Sequence, residues 1–179
     1  MTKTETQPWV LDGCAILNLA AALPLDQLSV MMRRPILAVQ QAAAEALYLH
    51  DTVDGVLART PIDVQALEIA SLSSSELDDF VALASSLDDG EAATLALAHG
   101  RSYVAVTDDK AARKAALRLI PQVAVIGTAS AVRYYVETNG VLAGETRKFL
   151  AAIERRAHFY PPSDDPERFW WTQYRNSAQ

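Results

Sequence analysis

The sequence predicts an α/β domain whose parallel sheet is covered on both faces, and three observations carry that reading. Short apolar runs rich in β-branched residues ("PWVL", "ILAV", "SYVAV", "VAVIG") recur along the chain. They alternate with helix-forming stretches, and strands that read as continuous apolar runs are those buried between two helical layers. The chain has 179 residues, 50% apolar and 21% charged, which is enough to bury a core and too apolar for disorder. One domain is expected, with a terminal appendage.

The elements follow in order. "PWVLDGCAILNLAAA" starts extended over Trp9 to Leu11, meets Asp12, and continues with Ile16, Leu17, Leu19 and Ala20 at helical spacing, giving strand, acid, helix. "ALPLDQLSVMMRRP" reads as a loop and "ILAV" as a second strand. "QQAAAEALYLHD", Gln40 to Asp51, is rich in Ala, Leu and Glu and reads as a helix carrying Glu45. Leu67 to Leu72 reads as a short edge strand. Ser73, three residues ahead of Glu76, marks a capping box at the next helix. Asp88 stands at the same spacing from Glu91 in "DDGEAATLALAHG", with Gly100 as the stop. "SYVAV" is a strand, "DDKAARKAALRLI" a helix, and "VAVIG" a last strand before Thr128.

Composition narrows the functions. Cys14 is the single cysteine, so disulfides and clustered-thiol zinc sites are excluded, and it reads as a small buried hydrophobe in a reducing cytoplasm. "MTKTETQPWV" lacks the regions of a signal peptide, and no apolar run approaches the ~20 residues that span a bilayer, so a cytoplasmic protein with no membrane partner is expected. A net charge of −6 repels phosphate backbones unless the acids are neutralised locally.

In open parallel sheets, ligands bind beyond the carboxyl ends of the strands, near the switch point of the topology. Asp12 and the adjacent Asp108 and Asp109 stand at such ends, and Glu45 and Glu91 fall on helices able to face the same edge. Two readings are open. A carboxylate at a helix start caps backbone N–H groups for about 1 kcal/mol, which accounts for Asp88, Glu91 and Asp108 one at a time. Glu45 alone reads as part of a solvated helix face. If the acids converge instead, like charges about 4 Å apart repel by about 4 kcal/mol at an effective dielectric of about 20, and a divalent cation is required. Oxygen-only donors favour magnesium or manganese. Such an ion polarises a phosphoryl oxygen and lowers the pKa of a water, the chemistry of phosphodiester hydrolysis.

Other acidic α/β designs fit less well. A dehalogenase-type phosphatase wants Asp-x-Asp after its first strand, whereas Gly13 and Cys14 follow Asp12. A phosphate-binding NTPase needs a glycine-rich loop ending in Lys-Ser/Thr, which is absent from the sequence. A receiver domain would carry an acid pair near the chain start, where Asp12 stands alone.

"VLDGCAILNL", Glu45 in "AAAEALYL", "LDDGEAATLALA", and "VAVTDDKAARKAA" followed by "VAVIGT" resemble the successive motifs of PIN-domain ribonucleases, in the family's order, from Trp9 to Ile153. The resemblance implies a three-layer α/β/α sandwich around a central parallel sheet of about five strands, here residues 1–155. Residues 156–179 are then an aromatic-rich tail packed on the domain or on a partner. It also implies an endoribonuclease using Mg2+ or Mn2+, acting as the toxin of a toxin–antitoxin pair, with RNA as substrate, a cognate antitoxin as partner, and a homodimer as assembly. Carried over by residue, Asp12 matches the first acid, Glu45 the second, Glu91 the third, and Asp109 the fourth, with Asp108 beside it as an alternative ligand. Thr107 matches the threonine before the fourth acid, and Thr107, Lys110 and Arg113 are assigned to substrate. The other reading of Lys110 and Arg113 is a solvated helix face. The rival to the enzyme is a non-catalytic RNA-binding or protein-interaction module of the same fold. Phe169, Trp170, Trp171 and Tyr174 read first as a cover for the domain's own surface, then as a dimer or antitoxin interface, and last as a stacking platform for RNA.

Overall fold

The computed structural model describes residues 7–53 and 56–176. Met1 to Thr6, part of the stretch read as lacking leader character, and residues 177–179 of the tail lie outside the described residues.

A five-stranded, all-parallel sheet forms the centre, made of β1 (Trp9–Leu11), β2 (Ile36–Val39), β5 (Glu68–Ala70), β6 (Val104–Val106) and β7 (Val125–Ile126) in the order β5-β2-β1-β6-β7. β1, β2 and β6 are buried at every position, which is why their sequences carry no polar alternation. Helices flank the sheet on both faces, giving the three-layer α/β/α sandwich. Among them are α1 (Gly13–Ala20), α3 (Gln40–Glu45), α4 (Ser74–Ala84), α5 (Asp89–Arg101), α6 (Lys110–Leu119), α7 (Thr128–Asn139) and α8 (Ala143–Arg156). α5 is buried almost all round from Ala92 to Ala98, and its alanines let it lie close against β1, β2 and β6. Strand order reverses between β1 and β6, whose register pairs Leu11 with Val106. The next residues, Asp12 and Thr107, therefore emerge side by side at the switch point.

Several expectations are corrected. The helix expected over Gln40 to Asp51 stops at Glu45, and Tyr48–Val53 (β3) pairs antiparallel with Val56–Pro61 (β4). Strand pairing overrides the helical preference of Ala and Leu there. The hairpin is tied down when Asp51 accepts from Thr60 at 2.7 Å and from Arg156, at the end of α8, at 2.8 Å. The stretch expected as a loop before β2 contains a turn of 3-10 helix, Leu25–Gln27, and a short helix α2, Leu28–Met31. Leu28 and Met32 bury themselves completely, and that burial drives the coiling. Gly100 does not stop α5. The helix runs on to Arg101 and ends at Ser102, which takes the left-handed conformation at φ 54°. Gly100 serves instead as a close contact, since a Cβ there would lie 2.6 Å from Cγ of Glu76. Glu76 completes the expected capping box with Ser73 and pairs with Arg101 at 2.8 Å.

Beyond α8 the chain turns back through Pro161 and Pro162 into α9 (Arg168–Asn176), which packs on α8. Trp171 is fully buried, its indole N–H donating to Glu154 at 2.8 Å, whereas Phe169 is 81% exposed. Among the described residues, no single helix is long and apolar enough to cross a membrane.

A carboxylate-lined cleft at the sheet's switch point

Helices α1, α5, α6 and α7 all begin at the carboxyl edge of the sheet, so their N-termini surround one place. An open cleft of about 290 Å3 lies there, lined by Asp12, Cys14, Glu45, Glu91, Asp108 and Asp109. All five acids nominated from sequence thus border the same space.

Each of the three aspartates is also bonded to a backbone N–H at a helix start. Asp12 caps α1, its Oδ1 accepting from the Cys14 N–H at 2.7 Å, while its Oδ2 accepts from the buried Thr107 hydroxyl. Asp109 caps α6, accepting from the Ala112 N–H at 2.8 Å. Asp108 turns the other way and accepts from the N–H of Thr128 at 2.9 Å, at the start of α7. It also accepts from the Thr128 hydroxyl and from Asn18 Nδ2 at 3.0 Å. The backbone N–H groups of Gly90 and Asp88, both at the start of α5, favour the charged forms of Glu45 and Glu91. Capping and lining the cleft are therefore not alternatives. Helix N-termini carry partial positive charge, and here they hold the carboxylates at the cleft's rim.

That support does not cancel the cost of gathering like charges. Burial, and then the negative charges of Asp109 and Asp12, push the Glu91 carboxyl up to about 7. Burial and Asp12 raise Glu45 as well. Burial raises Asp108 against the pull of its Thr128 bonds. The donors are carboxylate oxygens, which suit a hard divalent cation, and a cation would relieve the repulsion that raises these groups. The backbone makes room for one of them: a Cβ on Gly90 would overlap the Glu45 carboxylate, and one on Gly13 would lie 2.8 Å from its Oε2. Among the described residues, no group of three or more His, Cys, Asp or Glu side chains is drawn together closely enough to hold an ion as it stands.

Other expected residues take different positions. Thr107 is buried, and its hydroxyl donates to Asp12 and accepts from the Asp109 N–H at 3.1 Å, so it links two acids beneath the cleft. Arg113 donates to the Thr107 carbonyl at 3.0 Å and stands 4.0 Å from Asp108. Lys110 reaches Asp164 at 2.9 Å. Cys14 is half-buried at the rim rather than in the core, because the α1 N-terminus that Asp12 holds opens onto the cleft. Burial and the charges of Asp12 and Asp108 push its thiol far up.

Sequence reading missed Asn18, Thr128, Gly13 and Gly90. Asn18 left a signal as a buried polar residue on an otherwise apolar helix, where it bonds both Asp108 and Thr128. Thr128 left one by standing just past the last strand, one residue beyond Gly127.

Comparison with known proteins agrees with this geometry. A family model described as a PIN domain matches residues 8–165, taking in the whole sheet and every acid of the cleft. No curated protein matches the chain.

Proposed function

The chain belongs to the PIN-domain family, whose members are generally nucleases, and from that premise we propose that it is a divalent-metal-dependent endoribonuclease. The observation that carries the proposal is the single cleft at the sheet's switch point into which Asp12, Glu45, Glu91, Asp108 and Asp109 all open. Asp12, Glu45, Glu91 and Asp109 would hold Mg2+ or Mn2+, with Asp108 as a further carboxylate on the same wall. The ion would supply Lewis-acid charge to a phosphoryl oxygen and lower the pKa of an attacking water.

The chain's own groups prepare that chemistry. Thr107 fixes the Asp12 carboxylate through its hydroxyl and the start of α6 through the Asp109 N–H. Asn18 and Thr128 hold Asp108 to the α7 N-terminus. Gly13 and Gly90 leave the space that the Glu45 carboxylate fills. Arg113 and Lys110, at the first turn of α6, place positive charge beside an acidic site where a phosphate backbone would run.

The same proposal includes action as the toxin of a toxin–antitoxin pair, restrained by a protein partner, and self-association. The exposed apolar side chains of Val56 and Leu57 on β4 and Phe169 on α9 support a protein-binding surface.

The test separates charge from capping. Asn caps a helix about as well as Asp, so the double variant Asp12→Asn/Asp109→Asn keeps the helix starts and removes two charges. We expect manganese binding by calorimetry to vanish and cleavage of a mixed RNA pool to fall by about two to three orders of magnitude. Circular dichroism should be unchanged. Wild-type protein that binds no manganese, or a double variant that cleaves as well as wild type, would refute the proposal.

A further inference from the structure

A second cleft, about 70 Å3, adjoins the acidic one. It is walled by Asp108, Lys110 and Arg113 on one side and by Pro162, Asp164 and Asp165 on the other. Lys110 is the first residue of α6, and its ammonium donates to both carboxylate oxygens of Asp164, at 2.9 and 3.2 Å. Arg113 adds its charge, and together the two cations hold Asp164 below the usual carboxylate range. An anionic group from the tail thus sits where two cations and a helix N-terminus converge, beside the acids of the larger cleft.

The segment presenting Asp164 is firmly mounted. Pro161 is buried and its carbonyl accepts from Arg168. The following turn closes through Asp165 N–H to the Pro162 carbonyl at 3.0 Å and Arg168 N–H to the Asp165 carbonyl at 3.1 Å. Glu167 pairs with Arg133 of α7 at 2.8 Å, and Trp171 anchors α9 in the core. The bond between Lys110 and Asp164 is weak by comparison, because the two side chains are 70% and 65% exposed and such pairs contribute little. A tethered carboxylate with a firm mount and a weak bond has a high effective concentration and is still easily displaced.

We propose that Asp164 is a built-in competitor for the phosphate position at Lys110 and Arg113, which a nucleic-acid strand has to displace on entering the acidic cleft. The inference rests on the nuclease reading above and adds a residue to it that shapes substrate affinity. The probe is a fluorescent single-stranded RNA pool, with binding measured in EDTA so that metal-dependent cleavage does not intervene. Asp164→Ala should tighten binding by about two- to fivefold, the range open to an exposed ion pair. It should also steepen the salt dependence of log K by about 0.7, since in wild type the displaced carboxylate takes up a cation that offsets one released from the strand. Both effects should disappear in a Lys110→Ala background. Binding that fails to tighten, or tightens equally without Lys110, overturns the competitor, the second result assigning Asp164 to general repulsion. If wild-type protein binds RNA and Asp164→Ala changes nothing, the competitor alone is lost. If wild type and variants all fail to bind both in EDTA and with manganese present, the nuclease reading falls with it.

Discussion

Glu91→Gln should stabilise the metal-free protein at high pH and leave it nearly unchanged at low pH. Glu91 sits half-buried with its carboxyl pushed up to about 7 by burial and by Asp109 and Asp12. A group whose pKa is higher in the folded state binds more protons there. Its favourable contribution is complete below the unfolded value near 4.5 and is lost as pH rises through about 7. Read at full value, a shift of this size is about 3 kcal/mol. The carboxylate opens onto a wet cleft, and solvent screening reduces the figure to about 1 to 2 kcal/mol. For a chain of this length that is about 3 to 6 °C in Tm. Differential scanning calorimetry in EDTA at pH 4 and pH 8 measures it. Gln resembles the protonated acid, so the two proteins should melt together at pH 4, below the unfolded value, with the variant 3 to 6 °C higher at pH 8 by the same reckoning, about 1 to 2 kcal/mol. Added manganese should then raise the wild type and leave the variant largely where it was, narrowing the gap. A variant that melts lower at pH 8, or a difference of equal size at both pH values, would refute the argument that like charge in the cleft is the cause.

Two further outcomes are expected. Gly90→Ala puts a Cβ into the space of the Glu45 carboxylate, and a flexible side-chain end can move away at small cost while the helix gains up to about 1 kcal/mol in propensity. Thermal unfolding should therefore show Tm holding or rising while calorimetry shows manganese affinity at least about tenfold lower; both falling together would mean the clash falls on the fold itself. In the tail, Trp171→Ala should cost about 3 to 5 kcal/mol by urea unfolding. Phe169→Ala should cost less than about 0.5 kcal/mol, and comparable losses would show that α9 is not anchored through Trp171.

The strands at the centre were legible because burial on both faces leaves an unbroken apolar run. Asp12 and Asp109 were legible because each follows such a run, where an α/β sheet offers its ligand edge. The β3–β4 hairpin was not read, because Ala, Leu and Glu between Gln40 and Asp51 suggest helix. Yet the sequence places Asp54 and Gly55 between the two runs that pair. That dipeptide is a hairpin signal in its own right. Gly100 misled because glycine so often ends helices, whereas here its missing side chain admits Glu76 from α4. No local rule reveals that Glu45 lies against Gly13 and Gly90, since the contact depends on how α1, α3 and α5 pack. The dual role of the acids was hidden for the same reason: a capping pattern is local, but the cleft exists only once four helix starts have been brought together.

The pairing of Leu11 with Val106 makes the meeting of Asp12 and Thr107 a matter of counting. Each stands one residue past a matched pair, so one residue gained in β1 alone would turn Asp12 to the opposite face of the sheet. Two would carry it about 7 Å along the strand, far beyond the reach of a threonine hydroxyl. Strands β1 and β6 should accordingly keep their lengths in step across related chains, any indel in one matched in the other, while the segments between them are free to lengthen or shrink. Their common length acts as the ruler of the site.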